Sequence, residues 1–189
     1  RHIFVVEVAT GAARQVTEGD WDDTQPAWSP DGQSLAFVSA RHAEREFDSA
    51  SDLWVVPATG GEARQVATTS GAGGAPSWSP DGAKIAHIHH PDWPANGTLR
   101  LIGVDGTGET DASGGIDREM GAGGLPGAVA QPNWLRGGGI LTVATDRGES
   151  SLWVAGSVAD GRWVAREPAM TAWYSVDRAG LRAAVVSST

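Results

Sequence analysis

The chain has 189 residues, and 14 Lys and Arg against 23 Asp and Glu give it a formal net charge of −9. This balance, with no basic stripe, argues against nucleic acid as a partner, and no apolar run approaches the roughly 20 residues that span a bilayer. The absence of cysteine excludes a disulfide framework and a thiolate metal site, so we expect a cytoplasmic protein that has no cofactor and no membrane contact.

Two blocks of sequence recur at a fixed spacing along the chain. Pro-Ala-Trp-Ser-Pro-Asp-Gly at 26–32 returns as Pro-Ser-Trp-Ser-Pro-Asp-Gly at 76–82, and Ala-Arg-Gln-Val stands at both 13–16 and 63–66. Both pairs are 50 residues apart, so the two blocks agree on one register. Weaker copies surround Trp134 and Trp173 and lead into apolar runs, with spacings that drift as loop lengths change. The chain is therefore built from repeats.

Each period contains four strand signals. The first predicted strand ends at the Trp, and Ser-Pro-Asp-Gly then forms a hairpin turn in which Pro fixes φ and Gly accepts a left-handed conformation. In the first full period the second, third and fourth strands are predicted at 35–38, 53–56 and 63–66. The second and third strands are almost continuously apolar, which indicates that both of their faces are covered.

The fold class predicted from this pattern is all-β, a β-propeller of four-stranded antiparallel blades, with a sandwich as the weaker alternative. About four blades' worth of strands are present, and we expect them to form part of a larger propeller rather than a closed ring. Only 43–49 has the composition for a turn of helix. The predicted units are a half-blade at 1–24, blades at 25–75, 76–130 and 131–171, and a half-blade at 172–189.

Tryptophan and turn residues make up the structural motif of the predicted blades. Six of the nine Trp fall at repeat-equivalent strand positions, which favours packing between blades over ligand stacking. Truncation of Trp28 or Trp78 to Ala is accordingly expected to cost about 3–5 kcal/mol. The motif residues are Trp28, Pro30, Asp31, Gly32, Trp54, Trp78, Pro80, Asp81, Gly82, Trp134, Trp153 and Trp173.

The charged segment 41–48 follows the second predicted strand of the first full blade. Its counterpart, 91–97, has only one acidic residue and no basic one, so the two copies have diverged at this loop. We predict a substrate or domain-interface role for the loop, with the guanidinium groups of Arg41 and Arg45 exposed and not committed to strong partners within the chain. The alternative is a solvated loop with weak local ion pairs. The residues assigned to the candidate site are Arg41, His42, Arg45 and Asp48.

Three other segments resemble ligand sites. His87 and His89 share one face of a strand at a spacing that suits a metal ion, but His87 aligns with Phe37, a predicted core position, which favours a structural histidine. The acidic segment 18–23 lacks the spacing of a calcium loop, and Asp-Gly-Thr-Gly at 105–108 is typical of a hairpin turn. No metal site is assigned.

The repeat resembles that of TolB-type propellers and of the propeller domains of the prolyl oligopeptidase family. The resemblance rests on Trp-Ser-Pro-Asp-Gly at 28–32, Asp-Leu-Trp-Val-Val at 52–56 and Gly-Gly-Glu-Ala-Arg-Gln-Val at 60–66. It is strong over the first two repeats and weak from about residue 117. The segments 19–24 and 39–42 are similar to those of acylaminoacyl peptidases within that family.

The resemblance implies a propeller that limits access of peptides to an α/β-hydrolase domain. In that case the partners are this hydrolase domain and peptide substrates. The nucleophile elbow Gly-x-Ser-x-Gly occurs nowhere in the chain, and the nearest stretch, 111–115, lacks its first Gly, so no catalytic residue is assigned. A TolB-like protein-binding propeller is the alternative, and a four-bladed lectin or glycosidase is a third hypothesis.

Overall fold

The computed structural model describes residues 1–68, 70–91, 95–121, 129–155, 161–165 and 170–188, and the secondary structure of these residues is β throughout. The predicted all-β propeller architecture is confirmed. The described strands, in chain order, are β1 (Phe4–Val6), β2 (Ala13–Gln15), β3 (Asp23–Trp28), β4 (Ser34–Ser39), β5 (Asp52–Pro57), β6 (Arg64–Ala67), β7 (Gly71–Trp78), β8 (Lys84–Pro91), β9 (Thr98–Gly103), β10 (Thr110–Asp111), β11 (Glu119–Met120), β12 (Asn133–Trp134), β13 (Ile140–Asp146), β14 (Glu149–Ala155), β15 (Arg162–Ala165), β16 (Met170–Val176) and β17 (Ala183–Ser188).

Two complete four-stranded sheets form the first and second blades. The first blade has the strand order β3-β4-β5-β6, and the second has β7-β8-β9-β10, with antiparallel neighbours in both. Each first strand has a register shift, and Gln25 and Ala75 lie within these shifts with φ of 53° and 52°. The two copies of the repeat therefore share even a local backbone irregularity.

The third blade differs from the first two in its first strand. Both β11 and β12 pair with β13, at opposite ends of that strand, and β14 and β15 complete the sheet. Two described strands, β11 and β12, thus stand where a single first strand was expected. The described residues therefore form seventeen strands, one more than the sixteen of three four-stranded blades and two half-blades.

Two-stranded sheets lie at the two ends of the described chain. β1 pairs with β2, and β16 pairs with β17. Among the described strands, β1 and β17 have no pairing with each other. The two half-sheets therefore do not join to close a four-bladed ring.

The register of β16 corrects the predicted position of Trp173. The residue before the hairpin turn is Trp28 in β3, whereas in β16 it is Val176, which pairs with Ala183. Trp173 pairs with Val186, three residues earlier in the strand. The prediction failed because Trp was used as the marker of a repeat whose turn has become Asp-Arg-Ala-Gly.

The Ser-Pro-Asp-Gly turns are closed by their own side chains. Ser29 Oγ donates to Asp31 Oδ1 at 2.6 Å and accepts from the Ser34 amide at 2.9 Å, and Asp31 Oδ1 also accepts from the Gln33 amide at 3.0 Å. Gly32 has φ of +70°, a conformation that favours glycine. The second blade repeats these contacts through Ser79, Asp81, Ala83 and Lys84.

The core consists of apolar clusters within and between adjacent blades. One cluster joins Ala36 and Leu53 of the first blade to Ile85 and Ile102 of the second. Another joins Ile88 and Leu99 of the second blade to third-blade residues, including Ile140 and Trp153. Each blade is therefore stabilised mainly by burial against its neighbour.

Indole hydrogen bonds connect successive blades at the motif Trp. Trp78 Nε1 donates to the Ala27 carbonyl at 3.1 Å, and Trp134 Nε1 donates to the Ser77 carbonyl at 3.2 Å. Each acceptor is the residue just before the Trp of the preceding blade. The half-sheet that precedes Trp28 has no strand at this position.

Trp28 is consequently 52% exposed, while Trp78 is half-buried. The expectation that Trp28 lies buried between two blades is wrong. Its own sequence is that of a buried motif Trp, but the surface that would cover it belongs to the first strand of a preceding blade. A cost of 3–5 kcal/mol is therefore not expected for its truncation.

The outer strands also reach across to the next sheet. Arg14 Nη2 donates to the Ala58 carbonyl at 2.6 Å, and Arg64 Nη2 donates to the Val104 carbonyl at 2.5 Å. Both carbonyls follow the third strand of the next blade. The repeated Ala-Arg-Gln-Val sequence thus has one structural role in both copies.

The described part of the chain has no helix with the length and apolar character to span a bilayer. The segment 43–49, where a turn of helix was expected, forms hydrogen-bonded turns, with the Phe47 amide donating to the Glu44 carbonyl at 2.8 Å.

Candidate functional site

The predicted site lies at one end of the first blade. In a four-stranded antiparallel blade, the turns after the first and third strands lie at one end, and the connections after the second and fourth strands lie at the other. We call the end that carries 16–22 and 40–51 the loop face, and the end that carries the turns at 29–33, 79–83, 135–139 and 177–182 the turn face. Arg41, His42, Arg45 and Asp48 are all on the loop face.

Arg41 is held at the root of the loop by three kinds of contact. Its Nη2 lies 2.9 Å from Asp23 Oδ1, its Nε donates to Ser39 Oγ at 3.3 Å, and its guanidinium carbon is 5.2 Å and 4.9 Å from the ring centroids of Phe37 and Trp54. The Arg41 side chain is 14% exposed and that of Asp23 is fully buried. Cation–π contacts and a shielded ion pair favour this conformation strongly.

The expectation of an exposed, unpartnered Arg41 is therefore wrong. No sequence pattern indicates that Asp23, which lies 18 residues earlier and begins β3, pairs with Arg41. The second oxygen, Asp23 Oδ2, is buried without a hydrogen-bond partner among the described residues. Asp23 therefore depends on Arg41 for compensation of its charge.

Arg45 lies further out on the same loop. Its guanidinium carbon is 4.9 Å from the Trp21 ring centroid, and its Nη2 is 3.1 Å from Asp20 Oδ2, whose side chain is 99% exposed. Gly19 has φ of +109°, and a Cβ there would collide with the Trp21 ring, so only glycine permits this fold of the chain. Arg45 is thus partnered, but by contacts that solvent screens.

His42 and Asp48 close the loop at its base. His42 Nε2 is 3.0 Å and 3.2 Å from the two carboxylate oxygens of Asp48, and Asp48 Oδ1 also accepts from the Ala50 amide at 3.0 Å. The hydrogen bond from His42 lowers the pKa of Asp48, although desolvation opposes the shift. All four predicted residues therefore lie in one loop. The contacts of Arg41, His42 and Asp48 stabilise the conformation of that loop.

Phe47 is the residue of this loop that the sequence analysis missed. Its side chain is 90% exposed at the outer end of the loop. A large apolar residue within an otherwise charged run was the signal that could have drawn attention to it. Isolated exposed apolar residues are common on protein surfaces, but this one belongs to the same loop as Arg45, which stacks on Trp21.

A polar pocket of about 370 Å³ lies next to the loop and includes Asp20, Trp21, Ala40, Arg45 and Glu46 in its wall. Its charged groups have both signs, so it favours neither an anion nor a cation strongly. What the loop face offers chemically is a rigid set of charged groups and one apolar anchor. These features suit contact with another polypeptide surface.

The histidines of the second blade make structural contacts. His87 is fully buried, as is its counterpart Phe37, and its Nε2 lies 3.2 Å from Glu109 Oε1. His90 Nδ1 lies 3.1 Å from Glu119 Oε1, and Glu119 also accepts from the Gly97 amide at 2.7 Å. Glu109 directly precedes β10 of the same sheet, and Glu119 lies in β11 of the next sheet, so these contacts join β8 to both.

The electrostatics of this group follow from burial and hydrogen bonding. Burial, with the nearby Arg100 charge, lowers the pKa of His89 and so favours its neutral form. The hydrogen bond from His87 lowers the pKa of Glu109. Burial raises the pKa of Glu119, but the hydrogen bonds from His90 and Gly97 outweigh it and lower the pKa overall.

No cluster of three or more His, Asp or Glu suitable for a metal ion occurs in the parts of the chain that the structure describes. In the acidic segment 18–23, Asp20 faces Arg45 and Asp23 faces Arg41. The segment at 105–108 is a tight turn between β9 and β10, in which the Gly103 amide donates to the Thr107 carbonyl at 2.9 Å.

Comparison with known families supports the propeller architecture. Residues 1–93 match the model of the TolB β-propeller domain. Over 43 residues the chain is 42% identical to YuxL, an uncharacterized peptidase of Bacillus subtilis, and this stretch is 23% of the chain and 6% of that protein.

Solved structures of several kinds of protein share this fold, among them peptidases, TolB proteins and oligogalacturonate lyases. A puromycin-hydrolyzing peptidase of Mycobacterium tuberculosis matches with a TM-score of 0.74 and 15% identity, over 98% of this chain and 32% of that one. A putative TolB of Agrobacterium tumefaciens matches with a TM-score of 0.70 and 18% identity, over 98% of this chain and 62% of that one. At such identities the likeness concerns the fold, and this chain spans less than two thirds of either protein.

Proposed function

We propose, from the premise that residues 1–93 carry repeats of the TolB β-propeller domain, that the chain is the non-catalytic propeller portion of a serine peptidase of the prolyl oligopeptidase type. In this role it gates access of peptides and docks on a separate hydrolase domain. The observation that carries the proposal is the 42% identity, over 43 residues, to an uncharacterized peptidase. This chain itself has no nucleophile elbow. An acylaminoacyl peptidase is the specific member that the proposal favours.

The loop face is the surface that we assign to docking. Phe47 is the exposed apolar anchor, and Arg45, stacked on Trp21, supplies a positive charge from the same loop. Interfaces commonly centre on aromatic and arginine side chains surrounded by polar groups. Arg41 acts differently, because its contacts with Asp23 and Trp54 fix the root of the loop and so position Phe47.

The first experiment tests whether the chain lacks hydrolase activity of its own, as the proposal requires. The purified chain should hydrolyse neither acyl-peptide nor aryl-ester substrates, and a serine-directed fluorophosphonate probe should leave it unlabelled. The positive control is a peptidase that contains both the propeller and the hydrolase domain. Stoichiometric labelling of this chain alone would overturn the proposal.

The second experiment tests docking in the full-length protein that carries this chain. Phe47→Ser should raise the KM for a peptide substrate or separate the domains in limited proteolysis, while the melting temperature of the propeller stays within about 1 °C, since an exposed side chain adds little stability. Val8→Ser is a matched control, because Val8 is 99% exposed in a turn at the other end of its sheet. Equal effects of the two variants would argue against a specific interface.

A TolB-like binding propeller without any hydrolase domain is the second candidate. It is favoured by the match of residues 1–93 to the TolB domain and by the 62% coverage of a putative TolB structure. The gene separates the two functions. A reading frame that continues into a hydrolase domain with Gly-x-Ser-x-Gly supports the peptidase, whereas one that ends without it supports the binding propeller.

A further inference from the structure

The turn face has a pocket that lies opposite the proposed docking surface. It has a volume of about 520 Å³ and lies among three successive hairpin turns, those of the second blade, the third blade and the β16–β17 hairpin. This volume is within the range of small-ligand sites. The wall residues that matter chemically are Pro80, Asp81, Trp134, Leu135, Arg136 and Arg178.

The third-blade turn that lines the pocket has diverged from the repeat. In the first blade the closing hydrogen bond joins the Ser29 amide to the Ser34 carbonyl, whereas in the third it joins the Leu135 amide to the Gly139 carbonyl, one residue closer. Pro and Asp are replaced by Arg136 and Gly137. The shorter turn leaves space beside its neighbours.

Close backbone packing fixes the far wall. Gly180 has φ of +67°, and a Cβ at this position would lie 2.7 Å from the Arg136 amide nitrogen. The β16–β17 turn therefore rests directly on the backbone of the third-blade turn. This contact brings Arg136 and Arg178, which are 42 residues apart in sequence, to one pocket.

Arg136 and Arg178 are both exposed, and neither has an ion pair or hydrogen bond from its guanidinium group to any described residue. Other arginines of the chain, such as Arg14, Arg41 and Arg64, are committed to carbonyls or carboxylates. Both arginines line the same pocket, so their positive charges are available to an anion bound there. Guanidinium groups in this arrangement suit a planar carboxylate.

The other residues of the pocket wall determine which chemical group can bind next to the anion. Trp134 is fixed by its hydrogen bond to the Ser77 carbonyl and, with Leu135 and Pro80, provides an apolar surface. The Asp81 carboxylate is held by Ser79 and the Ala83 amide, and the Ser79 hydrogen bond lowers its pKa, so it is ionised near neutral pH. A single negative charge is repelled by Asp81 less than the double charge of a phosphate.

We propose that this pocket binds the C-terminal carboxylate of a peptide whose last residue is apolar. Arg136 and Arg178 hold the carboxylate, and the last side chain contacts Trp134 and Leu135. The proposal goes beyond the gating and docking function and does not depend on it, because it concerns the opposite face of the propeller.

The test is an NMR titration of the full chain, monitored in ¹⁵N–¹H correlation spectra. The two ligands are N-acetyl-glycyl-leucine as the free acid and the same peptide as its C-terminal amide. The acid should shift the amide signals of Gly137, Gly138 and Gly180 with a Kd of about 1 mM, and the amide should bind more weakly. The Arg136→Gln, Arg178→Gln double variant should bind the acid about fivefold more weakly, as expected for two exposed ion pairs.

Arg182→Gln is the matched control, because Arg182 is exposed in the same hairpin but does not line the pocket. Unchanged affinity in this variant supports the site, whereas equal weakening would attribute binding to net charge and overturn it. Equal binding of acid and amide would remove the role of the carboxylate. Tighter binding of inorganic phosphate than of the peptide acid would overturn the peptide assignment in favour of a general anion site.

Discussion

Trp28 and Trp78 stand before identical Ser-Pro-Asp-Gly turns in successive blades, yet their surroundings differ. Trp78 packs on the cluster between the first and second blades and donates its indole hydrogen to the Ala27 carbonyl. Trp28 is 52% exposed, because the half-sheet β1–β2 provides no first strand beside it. In a stacked repeat, the neighbouring blade decides what a side chain contributes.

The same comparison extends to other equivalent positions of the two blades. Phe37 and His87 are both fully buried, but only His87 brings a polar ring into the core. Arg41 on the first blade has no basic counterpart in the aligned segment 91–97. Each difference gives a way to test the comparison by mutation.

The largest effect is expected for Arg41→Met, at about 3 kcal/mol of unfolding free energy, because the variant leaves the buried Asp23 carboxylate without its counter-charge. Arg45→Met removes an ion pair to a 99% exposed carboxylate and should cost under about 1 kcal/mol. Urea denaturation of both variants measures the difference. Equal losses of unfolding free energy would mean that the two arginines stabilise the chain equally. That result would contradict the difference in burial between the two ion pairs.

Trp78→Ala should cost about 2 to 3 kcal/mol, since the side chain is half-buried and its indole is bonded to the preceding blade. Trp28→Ala should cost about 1 kcal/mol or less, since half of its surface is already in solvent. The paired substitutions have the same sequence context, so each serves as the control of the other. A loss at Trp28 as large as that at Trp78 would show that Trp28 is covered.

His87→Phe, which installs the residue of the first blade, should stabilise the chain by about 1 kcal/mol. The substitution removes a buried Nδ1 that has no hydrogen-bond partner among the described residues, while Glu109, with a side chain 38% exposed, remains hydrated. Denaturation at neutral pH measures the effect, and Phe37→His is the reciprocal control, expected to destabilise. A clear loss of stability in His87→Phe would mean that the Glu109 contact outweighs the unpaired nitrogen.

The smallest difference in stability between the first and second blades is expected at Asp31 and Asp81, the aspartates of their hairpin turns. Hydrogen bonds from Ser29 and Ser79 lower the pKa of Asp31 and Asp81 in the folded state. A lowered folded pKa adds stability that is present above the unfolded pKa, near 4, and is lost as the pH falls through the folded value.

Melting temperatures should therefore decrease as the pH falls below about 4, and Asp31→Asn and Asp81→Asn should each reduce this dependence by a similar amount. A scan of melting temperature against pH for the three proteins tests the point. A dependence unchanged in both variants would assign it to other carboxylates, such as Glu109 and Glu119.

The blade architecture was predictable because its causes are local. A Pro-Asp-Gly turn, a short apolar run and the spacing between them are visible in the sequence, and strands such as Ser34–Ser39 and Asp52–Pro57 extend the predicted ones by a residue at each end. The position of Trp173 was mispredicted because its turn kept Asp and Gly but lost Ser and Pro. The register of this hairpin depends on how its two strands pair, and the amino-acid sequence alone does not specify that pairing.

The candidate site was less predictable, because its contacts join distant parts of the chain. Asp23 pairs with Arg41 and Asp20 with Arg45 through the fold of one blade, and the pocket at Arg136 and Arg178 depends on a one-residue shortening of a turn. Charge patterns identified the loop at 41–48 but not which of its side chains are free. Only the three-dimensional packing separates the buried Arg41 from the exposed Phe47.

Hydrogen exchange of the indole N–H groups tests most directly the claim that the preceding blade determines the surroundings of Trp28, Trp78, Trp134 and Trp153. The indoles of Trp78, Trp134 and Trp153 donate to the carbonyls of Ala27, Ser77 and Ser113, whereas Trp28 has no such acceptor among the described residues. NMR in deuterated solvent should show slow exchange at the three bonded indoles and exchange close to the free rate at Trp28. Protection of Trp28 equal to that of Trp78 would contradict the account.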